Sequence, residues 1–366
     1  MRLSLPTYLR HHISESMPIA RIGALALGLF CVTLAHAATQ RSFVASTGID
    51  TNTAFNCSIA KPCRGFAAAI GVTSPKGEVI VLDSAAYGAI PAITKSISIT
   101  APAGIYAGIS VFSGDGITVN ASATDTVVLR GLTINGQGGA NGITITNALV
   151  VHVENCVIAN MSIGINQAQG LLEVKDTIIR NNGNIGVYVV GPATANLDHV
   201  RLETNNTGLA AELGGQAAMQ DSIVTGSPNI GVLANTPTIA APSRVTISRS
   251  LVSTNNYGIY VDGNNGGCCS AIVAISDSTI SGNGVGVHVT SSGNDATGTV
   301  HLKHNTVITN GVGIEVVSLG VAFADDNYIL ESAGHDLDFS GSSFWTRDNN
   351  TIGAINYGTL IHMGGI

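Results

Sequence analysis

Between Gly142 and Asp336 the chain repeats one short pattern of apolar and polar positions. A glycine is followed by apolar residues at the first and third places and by a variable residue between them, as in Gly186-Val187-Tyr188-Val189, Gly258-Ile259-Tyr260-Val261, Gly286-Val287-His288-Val289 and Gly313-Ile314-Glu315-Val316. The glycines run from Gly142 through Gly164, Gly186, Gly208, Gly231, Gly258 and Gly286 to Gly313, with steps of 22, 22, 22, 23, 27, 28 and 27 residues, and 23 more lead to Asp336-Leu337-Asp338-Phe339. A second column keeps step with the first: Arg130, Asn155, Asp176, Asp198, Asp221, Arg249, Asp277, Asn305, Asn327 and Asn350, most of them followed two places later by an apolar residue. Two columns in one register define a repeat architecture, and this governs every later reading.

Alternation of apolar and polar residues over three to five positions is the period of a strand. Asn, Gly, Asp and Ser separate the runs, as turns require. No run carries apolar residues at helical spacing for long enough to make a crossover helix. Strands and turns alone, recurring every 22 residues or so, predict a coil whose successive turns stack parallel strands about 4.8 Å apart. The few apolar side chains of one coil cannot offset the entropy of ordering it, so only a stack with protected ends is stable.

The Gly-Ile/Val-x-Val strands, the Asn/Asp-x-Val-Ile strands and the Asn-rich turns resemble the right-handed parallel β-helix repeats of the pectin-lyase-like superfamily. The resemblance covers roughly residues 40–355. It implies an all-β right-handed parallel β-helix, a solenoid of about ten coils, in residues 78–355. Residues 39–77 would form an N-terminal cap and 356–366 a C-terminal tail or cap. Because that superfamily holds lyases, hydrolases, epimerases and adhesins, the resemblance specifies fold far better than function.

Composition changes the picture in two ways. Charged residues make up 11% of the 366 residues and the net charge is −7, which argues against nucleic acid as a partner. The apolar stretch Ile22–Leu34, preceded by Arg21 and followed by Ala35-His36-Ala37, reads as a signal peptide over residues 1–38, with Met17 as an alternative start. The expectation is a periplasmic or secreted protein with no membrane span in the mature chain. In an oxidising compartment Cys57 and Cys63, six apart, make a plausible disulfide. Cys156 reads as buried, and Cys268-Cys269 as an adjacent pair that is either free or bridged. Arg64–Gly71 is the one helix expected, with Phe66, Ala69 and Ile70 covering the open end of the solenoid.

Three features carry candidate chemistry. The repeats starting at Gly231, Gly258 and Gly286 are longer by about five residues after the glycine strand (Asn235–Ser243, Asp262–Ser270, Thr290–Gly298). Stacked, these insertions would form a wall bearing Asp262 and Asp295. If the first and third residues after each glycine point inward, the second points out. This makes an outward column of Thr144, Asn166, Tyr188, Ala210, Leu233, Tyr260, His288, Glu315 and Asp338. His288, Glu315 and Asp338 are its candidate acid–base residues, and Tyr188, Tyr260, Asp262, His288 and Asp295 its candidate ligand contacts. Lastly, Asp176, Asp198 and Asp221 on consecutive coils would repel one another. Either they bond backbone groups in the turns, as an asparagine ladder does, or a cation such as calcium bridges them. No other cofactor is implied.

Two functions fit. One is a non-catalytic scaffold that binds a polysaccharide or a cell-surface partner. The alternative is a carbohydrate-active enzyme, a polysaccharide lyase or glycoside hydrolase. The resemblance implies, for lyases, calcium-binding acidic clusters beside an arginine base; no arginine stands beside such a cluster here. For polygalacturonase-type hydrolases it implies motifs of which only Asp325-Asp326 and Gly334-His335 remain as fragments. The missing motifs and the scarcity of Lys and Arg favour the non-catalytic reading, since acidic glycans need cationic subsites.

Overall fold

The structure, a computed structural model, describes residues 38–236, 241–263, 270–291, 297–340, 342–356, 358 and 360–363. The segment read as a signal peptide, Cys268, Cys269, Asp295 and most of the three insertions lie outside the described residues.

Three all-parallel sheets of 14, 11 and 12 strands run the length of a β-solenoid of about eleven coils. One coil illustrates the rest. Strand Thr194–Asp198 belongs to the 14-stranded sheet, Arg201–Glu203 to the 12-stranded sheet and Thr207–Glu212 to the 11-stranded sheet; Gln216–Gln220 then begins the next coil beside Thr194–Asp198. Inward residues of all three sheets form one apolar core; Val187, Val189, Val287 and Val289 are fully buried in it.

The glycine column has a steric cause. A Cβ at Gly186, Gly208, Gly258 or Gly286 would lie 2.5 Å from the carbonyl oxygen of the glycine on the following coil. On the last strand of this sheet, His335–Asp338, Asp336 replaces glycine. Its buried carboxylate accepts from the N–H groups of Ser332 and Ala354, each at 2.8 Å.

The second column is corrected by the strand register. Aligned in space are Asn155, Asp176, His199, Asp221, Arg249, Asp277, His304 and Asp326, all with φ between 46° and 55°. Asn and Asp are among the side chains that best tolerate this left-handed conformation. Arg130, Asp198, Asn305, Asn327 and Asn350 are each one place out of this register. The residues directly after the left-handed position point inward and make a ladder. Ser222 N–H donates to Ser250 Oγ, Ser250 N–H to Ser278 Oγ, Ser278 N–H to Asn305 Oδ1, Asn305 N–H to Asn327 Oδ1 and Asn327 N–H to Asn350 Oδ1, at 2.8–3.1 Å. The asparagine-ladder reading therefore holds for Asn305, Asn327 and Asn350 and fails for the three aspartates. A second ladder stands at the other short turn, where Asn255 N–H donates to Asn283 Oδ1 and Asn283 N–H to Asn310 Oδ1, both at 3.0 Å. These ladders satisfy turn amides that the core would otherwise strand without partners.

At the N-terminal end, strand Thr39–Val44 opens the 14-stranded sheet by pairing with Thr73–Val81. A short helix, Phe66–Val72, buries Phe66, Ala69 and Ile70. Lys95 Nζ donates to the carbonyls of Ile70 and Thr73 at the helix end, 2.7 and 2.5 Å away. Cys57 and Cys63 form a disulfide with their Cα atoms 4.9 Å apart. Cys156 is buried, and desolvation pushes its thiol up to about 11. Among the described residues no helix is long and apolar enough to cross a membrane.

Candidate functional site

The outward column of the 11-stranded sheet is continuous in space. Register pairs Thr144 with Asn166, then Tyr188, Ala210, Leu233, Tyr260, His288, Glu315 and Asp338, strand by strand. Its first part carries little chemistry. Tyr188 leans over Ala210 and its hydroxyl donates to Glu212 at 2.7 Å; burial, then that carboxylate, raises its pKa.

From Tyr257 onward the column changes. Tyr260 and His288 stack with ring centroids 4.6 Å apart, and Tyr257 meets both edge-on at 5.2 and 5.4 Å. Tyr257 escaped the sequence reading because it lies just before the glycine rather than after it. The register explains the cluster: Tyr257 and Tyr260 flank Gly258 on one strand, and His288 is the neighbour of Tyr260 on the next. His288 Nδ1–H donates to Glu315 Oε2 at 2.5 Å, which leaves Nε2 as the imidazole nitrogen available to a ligand. The His288 side chain is only 12% exposed and that of Glu315 28%. Burial raises the pKa of Tyr260, with smaller contributions from Asp262, Tyr257 and Glu315. On the following strand Asp338 Oδ2 accepts from Asn356 Nδ2 at 2.9 Å, so the C-terminal segment fixes the last carboxylate. Asp262 is the register partner of Asn235 and Thr290 beside this cluster.

Charge on this sheet is one-sided. Its strands carry Glu212, Asp262, Glu315, Asp336 and Asp338, but among their described residues there is no Lys or Arg. What the arrangement offers is an aromatic platform, a histidine with one nitrogen held, and carboxylates on consecutive strands.

The three aspartates read as a stack do not form one. Asp176 and Asp221 share the left-handed turn column, but His199 stands between them and Asp198 ends the strand before the turn. The column in fact alternates carboxylates with nitrogen bases: Asp176, His199, Asp221, Arg249, Asp277, His304, Asp326. Arg249 bonds both oxygens of Asp221 at 2.7 and 2.9 Å, and His304 Nε2 lies 3.0 Å from Asp326. The ligand atoms of Asp198, His199 and Asp221 lie within 4.8 Å of one another, the geometry of a small metal site. Their oxygens are already engaged. The hydrogen bond from Arg249 holds the Asp221 carboxyl below its ordinary range. Desolvation pushes Asp198 up, but bonds from His199 and Gln220 outweigh it and lower its pKa.

Comparison with known proteins agrees with this architecture. The model of the right-handed β-helix region matches residues 115–299, half of the chain. The chain belongs to the right-handed β-helix family. No curated protein matches it in sequence. Among solved structures this β-helix is similar to the A-module of mannuronan C-5 epimerase AlgE4 from Azotobacter vinelandii, with a TM-score of 0.61 and 15% identity over 79% of this chain and 91% of that one. The AlgE6 A-module of the same organism gives 0.59 at the same identity and coverage. The pectate lyase Pel9A gives 0.50 and 15% identity, over 89% of this chain and 80% of that one. At these identities the likeness is one of fold.

Proposed function

We propose that this β-helix is a secreted or periplasmic glycan-binding protein, and that a neutral polysaccharide lies on the outer face of its 11-stranded sheet at Tyr257, Tyr260, His288, Glu315 and Asp338. The observation that carries the reading is the aromatic cluster on consecutive strands, with carboxylates following and no cation among them. Aromatic faces take the apolar face of a sugar ring, and carboxylates accept its hydroxyls. An acidic chain would meet repulsion there. The enzymes of similar fold, named for mannuronan and pectate, support glycans as the ligand class.

A second reading rests on a separate observation. Glu315 and Asp338 are direct neighbours on adjacent parallel strands, a spacing of about 4.8 Å. Carboxyl groups about 5–5.5 Å apart suit a retaining glycosidase, and His288 beside Glu315 supplies a proton carrier.

The test is a panel of neutral and acidic polysaccharides offered to the purified chain, with binding and product release both measured. The proposal expects a neutral glycan to bind without being cut, and Tyr260→Ala with His288→Ala to weaken it by roughly tenfold or more, since lost stacking and a lost hydrogen bond contribute on the order of 1 kcal/mol each. Release of shortened products, abolished by Glu315→Gln or Asp338→Asn, would establish the enzyme reading instead. Binding unaffected by either pair of substitutions would remove the site from this face.

A further inference from the structure

The outer face of the 14-stranded sheet carries a second ladder of rings, which neither proposed function uses. His301, Phe323 and Trp345 are register partners on three consecutive strands. His301 and Phe323 stack at 4.9 Å and 7°, and Phe323 and Trp345 at 6.2 Å and 20°. The next positions of the same column are Ala274 and then Thr246. The ladder therefore stops at His301, and one face of that ring is left bare beside a methyl group. A hollow of about 350 Å³ occupies the missing rung, lined by Thr246, Ala274, Ser276, His301 and Lys303 among others. Its floor comes from one strand, Ala271–Ser276, on which Ile272, Ala274 and Ser276 point outward and are half-buried. Thr246 and His301 stand two strand steps apart, ~10 Å. Stacked rings need about 4.5–7 Å between centroids, so a single flat ring on His301 stands over Ala274 with Thr246 behind it. A hollow of this size suits a small molecule rather than a chain.

The residues around the slot set its chemistry. Desolvation lowers the pKa of His301, so at neutral pH its ring is an uncharged π face. Beside the missing rung, Ser276 and Lys303 are register partners, and their hydroxyl and ammonium groups both donate hydrogen bonds. Asp325 follows Lys303 on the next strand, on the side away from Ala274. Its charge offsets that of Lys303, so the slot does not select an anion. What the slot matches is a neutral flat ring with an oxygen acceptor at its edge.

We infer that this slot binds a small neutral aromatic molecule of the phenol type, its ring stacked on the bare face of His301 over Ala274 and its oxygen accepting from Ser276 and Lys303. The bound ring is the fourth rung of the ladder, and it gains the offset stacking that His301 and Phe323 already share. Ligand class, sheet and residues all differ from those of the proposed glycan site, so the failure of either proposal leaves the other distinguishable.

The probe is 2-naphthol, offered to the whole protein in equilibrium dialysis at neutral pH beside naphthalene and decahydro-2-naphthol. 2-Naphthol should bind saturably. The saturated alcohol keeps the oxygen and loses the flat ring, and should bind at least about tenfold more weakly. Naphthalene keeps the ring and loses the oxygen, and should bind several-fold more weakly. Ala274→Phe supplies the missing rung from the chain itself, at an outward position, and should abolish 2-naphthol binding without lowering the melting temperature. Lys303→Ala reads the same slot without adding bulk: it should weaken 2-naphthol several-fold and leave naphthalene unchanged. Tyr260→Ala, on the other sheet, should change neither. Equal binding of the saturated alcohol, or 2-naphthol affinity unchanged in Ala274→Phe and Lys303→Ala, would overturn the inference.

Discussion

The two outer faces share one construction and differ in the charges they carry. On the 11-stranded sheet, Tyr260 and His288 are followed by Glu315 and Asp338, with no Lys or Arg in any described strand. On the 14-stranded sheet, His301, Phe323 and Trp345 run beside Lys303, Asp325 and Arg347, so charges of both signs are present. In both, parallel register brings residues from consecutive coils into direct contact, so a column of side chains 22 to 28 positions apart in sequence behaves as a single surface. The difference teaches that the scaffold does not decide the ligand. Inside, the glycine column and the two turn ladders are fixed by steric contact and by hydrogen bonding. Outside, each position is free to carry whatever chemistry its column collects.

The largest effect should come from damaging what both faces share. Asn283 accepts from the Asn255 N–H and Nδ2 and donates to Asn310 Oδ1 and to the Val252 carbonyl, all within the core. Asn283→Ala strands several of these groups, at a cost on the order of 2–4 kcal/mol. Thermal melting should show the loss, while affinity for the neutral glycan, measured well below the melting temperature, stays within about twofold. A large loss of that affinity would mean that the outer column is not independent of the inner frame.

A smaller effect separates the faces by pH. Desolvation lowers the His301 pKa below its ordinary 6.5. The unfolded chain then takes up the proton first, so the stability tied to the neutral ring is complete above about 6.5 and is lost as pH falls from there through the folded value. Relative to His301→Gln, the wild-type melting temperature should drop slightly between pH 7 and pH 5. A relative rise on acidification would reverse the sign and show the ring to be better solvated, or better paired as a cation, than its place between Ala274 and Phe323 implies.

Much of the fold was legible in the sequence because its period is strict and its cause is simple. Only glycine fits where backbones of adjacent coils approach within contact, so Gly142 to Gly313 mark eight consecutive turns of the solenoid. The outward column followed from strand alternation alone. The second column slipped by one place because two neighbouring positions draw on overlapping residues. Asp and Asn suit the left-handed turn position, and Ser, Thr and Asn suit the inward ladder position directly after it. At Asn305, Asn327 and Asn350 the sequence pattern marks the ladder residue rather than the turn residue, and at Asp198 it marks the neighbour of His199. The apparent stack of like charges vanished with that shift. The Asn255, Asn283 and Asn310 ladder was readable, three places before Gly258, Gly286 and Gly313, but nothing in its composition set it apart from an ordinary turn. His301, Phe323 and Trp345 recur 22 positions apart. They were missed because the glycine column drew attention to a single face of each coil.

The most direct measurement is a calorimetric titration of the whole chain with the neutral oligosaccharide that binds best, in the wild type and in Tyr260→Ala. The account predicts that the wild type binds the neutral chain saturably, and that Tyr260→Ala loses at least about tenfold in affinity with little change in melting temperature. Equal affinity in the two proteins would contradict the assignment of the glycan to the Tyr260–Asp338 column.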